Sequence, residues 1–233
     1  MSDRYYVASC LFTARLPKTS LAIQNYVANH TDFHMVRCCM PNFKVRQNTE
    51  RIPDAQTRAA WEKLPTAVEL RAGDTVYTVC HHCPKILSEQ HEGLNLVSLW
   101  EWIDQDPAFP FPDYSGMKVT IQDCWRSRDR LEEQIAVRHL LERMNIETIE
   151  TEENYANTEF CGNTRYRGQP VKTVKFASAG TGNQLQPEQV ERMQEYCSRF
   201  TTDTVVCYCH YCLEGLQQGG IDARHIAQLL FPD

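Results

Sequence analysis

The stretch Asp74 to Leu87, DTVYTVCHHCPKIL, returns almost intact as Asp203 to Leu216, DTVVCYCHYCLEGL. Each copy opens on Asp-Thr-Val, runs through β-branched residues to a Cys-x-x-Cys pair, and carries an apolar residue four positions later, Leu87 or Leu216. Two copies at this separation are the mark of an internally duplicated chain. The repeated element is a strand that delivers two thiols, so the fold must contain that strand twice.

The intervening segments follow the same order in each half. Tyr5 to Ser9 predicts a buried strand ending on Cys10, and Phe33 to Arg37 a second one running into Cys38-Cys39. Between them, Thr19 or Ser20 caps a helix through Leu21, Ile23 and Val27. A helix over Gln56 to Lys63 ends at Pro65, the strand Thr75 to Val79 leads to Cys80 and Cys83, and Pro84 suits the first turn of a helix. Leu96 to Ile103 predicts an apolar helix carrying Trp100 and Trp102. In the second half, Met117 to Ile121 predicts a strand ending near Cys124. An amphipathic helix over Asp129 to Met144 has Leu131, Ile135, Leu140 and Leu141 as its apolar positions. Ile146 to Ile149 is a candidate strand, and Cys161-Gly162 opens a polar stretch of loop or hairpin. A helix over Pro187 to Phe200, the second Asp-Thr-Val strand to Cys209 and Cys212, and a helix over Ile221 to Phe231 complete the chain.

Prolines 107, 110 and 112, with Asp113 and Gly116, mark a linker over 107–116 between repeats at 1–106 and 117–233. Alternating strands and helices imply an α/β fold of two small parallel sheets, each flanked by helices. In such sheets ligands gather at the carboxyl ends of strands, where these cysteines fall. Helix N-termini there favour thiolates.

A net charge of −6 disfavours non-specific nucleic-acid binding, which needs many cations. No apolar run reaches the roughly 20 residues of a membrane span, and no export signal is visible, so a cytoplasmic location is expected. In a reducing compartment, eleven cysteines point to metal or cluster ligation in preference to disulfides. The first half supplies Cys10, Cys38, Cys39, Cys80 and Cys83; the second supplies Cys124, Cys161, Cys209 and Cys212. Soft thiolates without carboxylates suit zinc, copper(I) or iron–sulfur clusters. Five sulfurs exceed what one tetrahedral zinc uses, which points to a cluster in the first half.

The pattern Cys, Cys-Cys, Cys-x-x-Cys, met twice, resembles the CCG (cysteine-rich) domain family, to which the B subunit of heterodisulfide reductase belongs. The resemblance covers essentially the whole chain. It implies a noncubane [4Fe–4S] cluster on Cys10, Cys38, Cys39, Cys80 and Cys83, an oxidoreductase acting on a thiol or disulfide, and a setting of low oxygen. Met40 stands where the family has glycine after the paired cysteines, and the second repeat keeps only one cysteine of that pair, in Phe160-Cys161-Gly162. Its four remaining thiolates suffice for zinc or for a second iron–sulfur cluster, and both stay open. Cys207, two residues before Cys209, is a candidate fifth sulfur.

The remaining features have plainer readings. His81, His82 and His210 fit hydrogen-bond donors to sulfur better than ligands. Cys197, Trp100, Trp102 and Trp125 read as core, His225 as core or surface, and Ala179 to Asn183 as a turn. Arg126 and Arg128 read as surface charges, with the negative charge of a cluster as the alternative partner. The chain has no ferredoxin-like cysteine run and no flavin fingerprint, so electrons are expected from a partner, a ferredoxin-like protein or a flavoprotein subunit.

Overall fold

The aromatic and β-branched run at Tyr5 to Val7 forms β1 (Arg4–Ala8) in the computed structural model, which describes residues 2–37, 49–66, 70–162, 165–166, 169–170 and 187–232. Contacts divide the chain into two units, Met1–Trp102 with Phe231–Asp233, and Ile103–Leu230. In the first unit, β1 is followed by α1 (Cys10–Arg15), α2 (Pro17–His30), β2 (His34–Arg37), α3 (Ala55–Lys63), β3 (Thr75–Thr78), α4 (His82–Gln90) and β4 (Asn95–Ser98). The division itself falls within α5 (Leu99–Gln105). The second unit contains β5 (Lys118–Gln122), α6 (Leu131–Arg143), β6 (Glu147–Ile149), the short antiparallel pair β7 (Arg165–Tyr166) and β8 (Gln169–Pro170), α7 (Pro187–Cys197), β9 (Thr204–Cys207), α8 (His210–Gln218), β10 (Asp222–His225) and α9 (Ile226–Leu230).

Both main sheets are four-stranded and wholly parallel, with orders β2-β1-β3-β4 and β10-β9-β5-β6. Read from the second strand of each unit, these are one topology, 2-1-3-4, so the α/β fold of two duplicated repeats holds. The inner strands β3, β5 and β9 are buried on both faces, without the alternation of a half-exposed strand, whereas edge strands such as β10 alternate. Val7, Val36, Val76 and Leu87 pack together with Leu70 in the first unit. In this topology the order of winding reverses between the parallel first and third strands, and the crevice at that switch point is where open α/β sheets bind ligands.

The fourth strand of each repeat, β4 and β10, stands where sequence periodicity suggests the start of a helix. Leu96 and Val97, and likewise Ala223, pair in parallel with β3 and β9, and the helices begin only at Leu99 and Ile226. A short apolar run cannot be assigned by period alone, and here the neighbouring strand decides it. α2 starts earlier than the Thr19 or Ser20 cap suggests. Pro17, with its preset φ, occupies the first turn, and the Ser20 hydroxyl pairs with Thr13 and Gln24 inside the fold. α6 buries two of its four expected apolar positions, Leu140 and Leu141, and leaves the other two toward solvent. Leu131 and Ile135 are 52% and 38% exposed, while Ala136, Val137, Leu140 and Leu141 are buried.

Asp74, the first residue of the repeated motif, is buried and accepts hydrogen bonds from the backbone N–H groups of Asp3 (3.0 Å) and Arg71 (2.9 Å). Its counterpart Asp203 is exposed. Removing a carboxylate that satisfies two backbone donors costs about 1–3 kcal/mol, whereas an exposed change costs at most about 0.5 kcal/mol. Asp74→Ala is therefore expected to lower the urea midpoint clearly and Asp203→Ala to leave it in place, as followed by circular dichroism.

Candidate metal centre

Cysteines fall at matching places in the two repeats. Cys10 and Cys124 lie two residues beyond β1 and β5, and Cys80 and Cys209 two residues beyond β3 and β9. Cys83 and Cys212 follow three residues later, in the first turns of α4 and α8. Both sets therefore stand at the switch point of their own sheet. In each repeat a backbone N–H two residues on points at one of the first two of these sulfurs: Arg126 N–H to Cys124 Sγ and His82 N–H to Cys80 Sγ, both at 3.4 Å.

In the C-terminal repeat four of these thiols meet. The Sγ atoms of Cys124, Cys161, Cys209 and Cys212 all lie within 4.8 Å of one another, and all four residues are buried. Cys161 arrives from a long excursion after β6 and is held by three contacts. Trp125 N–H donates to the Phe160 carbonyl at 2.8 Å, the Phe160 ring stacks on Tyr196 at 4.1 Å, and the Tyr196 hydroxyl donates to Gln122 Oε1 at 2.7 Å. Gly162 then passes against α8 with φ +52°, where an added Cβ would lie 1.6 Å from the Tyr211 carbonyl oxygen. Only glycine admits both that φ and that approach.

Burial pushes the Cys124 and Cys212 thiols well above the ordinary cysteine range. Cys161 is held below it, chiefly because its sulfur accepts the Cys124 S–H at 3.5 Å. Arg126 leans over the Tyr211 ring, with its buried Nε unpartnered among the described residues. Burial opposes the charge of its guanidinium, but Cys161 and Cys124 more than compensate and raise its pKa. Four soft donors, a half-buried cation beside them and an environment hostile to bare thiolates fit a bound metal ion.

Cys207 stays outside this set. β9 ends on it, and its thiol points to the Cys209 carbonyl at 3.7 Å, so the shared face expected along a continuous strand is lost at the turn. Cys197 is a buried thiol pushed up to about 11 by desolvation, with its sulfur against the Leu216 carbonyl. Arg128 reaches the Ala156 carbonyl and Glu159. His225 is fully buried in β10.

In the N-terminal repeat Cys10, Cys80 and Cys83 are buried at the equivalent positions. Among the described residues they form no comparable set of three at bonding range, and Cys38 and Cys39 lie outside the described residues, as do Met40 and the Ala179 to Asn183 turn. Tyr6 is fully buried near Cys83. Burial first, and Cys83 second, push its pKa up, and its hydroxyl has no hydrogen-bond partner among the described residues. That orphaned donor suits an acceptor sulfur.

Sequence reasoning passed over Asp123, Tyr155 and Tyr208. Asp123 is fully buried, yet its partners stand 15, 32 and 85 residues away, so no local spacing signals it. No helix among the described residues is long and apolar enough to cross a membrane. In comparisons with known proteins, the chain matches no family and no curated protein.

Gly162→Ala is expected to weaken Co²⁺ or Zn²⁺ binding by at least about tenfold, the scale of losses when a site's supporting shell is disturbed. Gly220 also has positive φ (+82°) but open space around its Cβ position, so Gly220→Ala should leave metal binding unchanged. Chelator competition checks both.

Proposed function

We propose that this protein is a metal–thiolate redox protein of two cysteine-rich repeats. The C-terminal repeat holds one metal ion on Cys124, Cys161, Cys209 and Cys212. The N-terminal repeat holds a noncubane [4Fe–4S] cluster on Cys10, Cys38, Cys39, Cys80 and Cys83, as the resemblance to the CCG family implies. The observation that carries this reading is the convergence of four buried sulfurs, from three distant segments, at the switch point of a sheet whose topology the other repeat shares.

Spacing favours a single ion in the C-terminal repeat. Four sulfurs about 2.3 Å from one metal stand about 3.8 Å apart at tetrahedral geometry. A cubane binds each cysteine to a different iron across a cage of metal and sulfide, and so spreads its ligands farther. Zinc or a mononuclear iron suits the set as it stands. For the N-terminal repeat the support is positional: three equivalent cysteines, a cysteine pair directly after β2, and the orphaned Tyr6 hydroxyl.

A bound cluster supplies one-electron chemistry to a thiol or disulfide substrate. The chain buries the cysteines, excludes water and donates hydrogen bonds to sulfur, which tunes potential. Electrons come from a partner protein. A second reading, a zinc-stabilised interaction module or electron relay without substrate chemistry, draws on the same single-ion spacing.

Metal and acid-labile sulfide analysis of anaerobically purified protein separates these readings. The redox reading expects four iron and four sulfide per chain beside one further metal ion. Two zinc ions with neither iron nor sulfide would leave the interaction module. A change in the cluster's paramagnetic resonance on adding a dithiol or disulfide marks substrate chemistry, and its absence marks a relay.

A further inference from the structure

We infer that the buried carboxylate of Asp123 is the positioning residue of the four-cysteine centre, tying together from behind the three separate segments that carry its ligands. The inference rests on the reading that those cysteines hold a metal ion. Asp123 immediately precedes Cys124 and is fully buried. Its Oδ1 accepts the Tyr208 hydroxyl at 2.6 Å and Arg138 Nη1 at 3.2 Å. Its Oδ2 accepts Arg138 Nη2 and the Tyr155 backbone N–H, each at 2.8 Å. Tyr208 immediately precedes Cys209, and Tyr155 opens the turn that leads to Cys161. One carboxylate, itself next to Cys124, thus bonds the side chain beside Cys209 and a backbone N–H of the segment that leads to Cys161.

The Asp123 main chain repeats the pattern. Its carbonyl accepts Thr158 Oγ1 at 3.1 Å and Gln122 Nε2 at 2.8 Å, fixing the Cys161 approach a second time. The Tyr208 hydroxyl also pairs with Ser127 Oγ at 2.9 Å, and that hydroxyl bonds the Cys124 carbonyl at 2.8 Å.

Backbone strain points the same way. Tyr155 has φ +49°, a left-handed conformation that a bulky aromatic residue adopts only where its surroundings over-determine it. Here the Asp123 carboxylate holds its N–H, and the Arg138 guanidinium lies 3.8 Å from its ring centroid. Glu150 completes the Arg138 fork at 2.6 and 2.8 Å. An ion pair serving only general stability needs neither the strained residue nor contacts beside all three ligand segments. The residue before Cys10 in the other repeat is Ser9, whose carbonyl accepts from Thr13; no carboxylate stands there. The device belongs to the repeat that must bring Cys161 in from a long excursion.

The test compares Asp123→Asn, Tyr208→Phe and Glu150→Gln with the unaltered chain. Glu150→Gln weakens the outer end of the Arg138 pair, keeps an oxygen acceptor for Asn154 Nδ2 (3.3 Å) and removes none of the Asp123 contacts. Metal-free protein is titrated with Co²⁺ while the thiolate-to-cobalt and ligand-field bands are recorded, and the thermal midpoint of each metal-free protein is measured alongside. Asp123→Asn is expected to weaken Co²⁺ binding about 10–100-fold and to alter the ligand-field bands. Tyr208→Phe should show a smaller loss with the same spectral change, and Glu150→Gln should match the unaltered chain. Wild-type affinity and spectrum in Asp123→Asn would overturn the inference, as would an equal loss in Glu150→Gln. If Asp123→Asn fails to fold, Tyr208→Phe decides, and an unchanged spectrum there is equally fatal. Should the unaltered chain show no cobalt–thiolate bands, the metal-centre reading falls first and takes this inference with it.

Discussion

Four sulfurs buried within 4.8 Å of one another cannot all carry charge unless a cation stands among them. Two unit charges 4 Å apart repel by about 4 kcal/mol even at an effective dielectric of 20, and four thiolates make six such pairs. Desolvation adds to this, which is why Cys124 and Cys212 are pushed toward the protonated form. A divalent ion reverses the balance, and Arg126 offsets part of the residual negative charge. The four sulfurs of the C-terminal repeat could thus hold a metal ion, whose charge would offset what burial disfavours.

The sheet explains why the sulfurs meet there. In the 2-1-3-4 order the first and third strands are neighbours whose connections leave in opposite directions, so a crevice opens beyond their carboxyl ends. A cysteine two residues past each strand stands at that crevice without further adjustment. The Cys-x-x-Cys spacing adds a third sulfur from the first turn of the following helix. Only the fourth must be carried in. In the C-terminal repeat that requires the excursion from β6 to Cys161, the glycine that lets it pass Tyr211, and the carboxylate behind it. In the N-terminal repeat the cysteine pair follows β2 directly, and Ser9 replaces the carboxylate. The repeats share a topology and differ where the second strand ends.

Much of this was legible in the residues. The duplicated Asp-Thr-Val motif announces the third strand twice, and the cysteines that end strands announce the crevice. The fourth strands were not legible, because Leu96-Val97 and the run before Ile226 are too short to distinguish a strand from a helix until β3 and β9 lie beside them. The inward face of α6 was legible in Leu140 and Leu141, which are buried, but not in Leu131 and Ile135, which fit a helical period and lie toward solvent. Cys207 was a candidate by alternation, which applies only while the strand continues. The Asp123 contacts were beyond reach, since hydrogen bonds across 32 and 85 residues leave no periodic trace.

The central claim is that one ion sits among four sulfurs. Zinc-edge X-ray absorption tests it most directly, on a chain with Cys10, Cys80 and Cys83 changed to serine and reloaded with one equivalent of zinc. The account predicts four sulfur neighbours at about 2.3 Å and no metal–metal scattering. Nitrogen or oxygen in the first coordination sphere, fewer than four sulfurs, or a second metal at short range would contradict it.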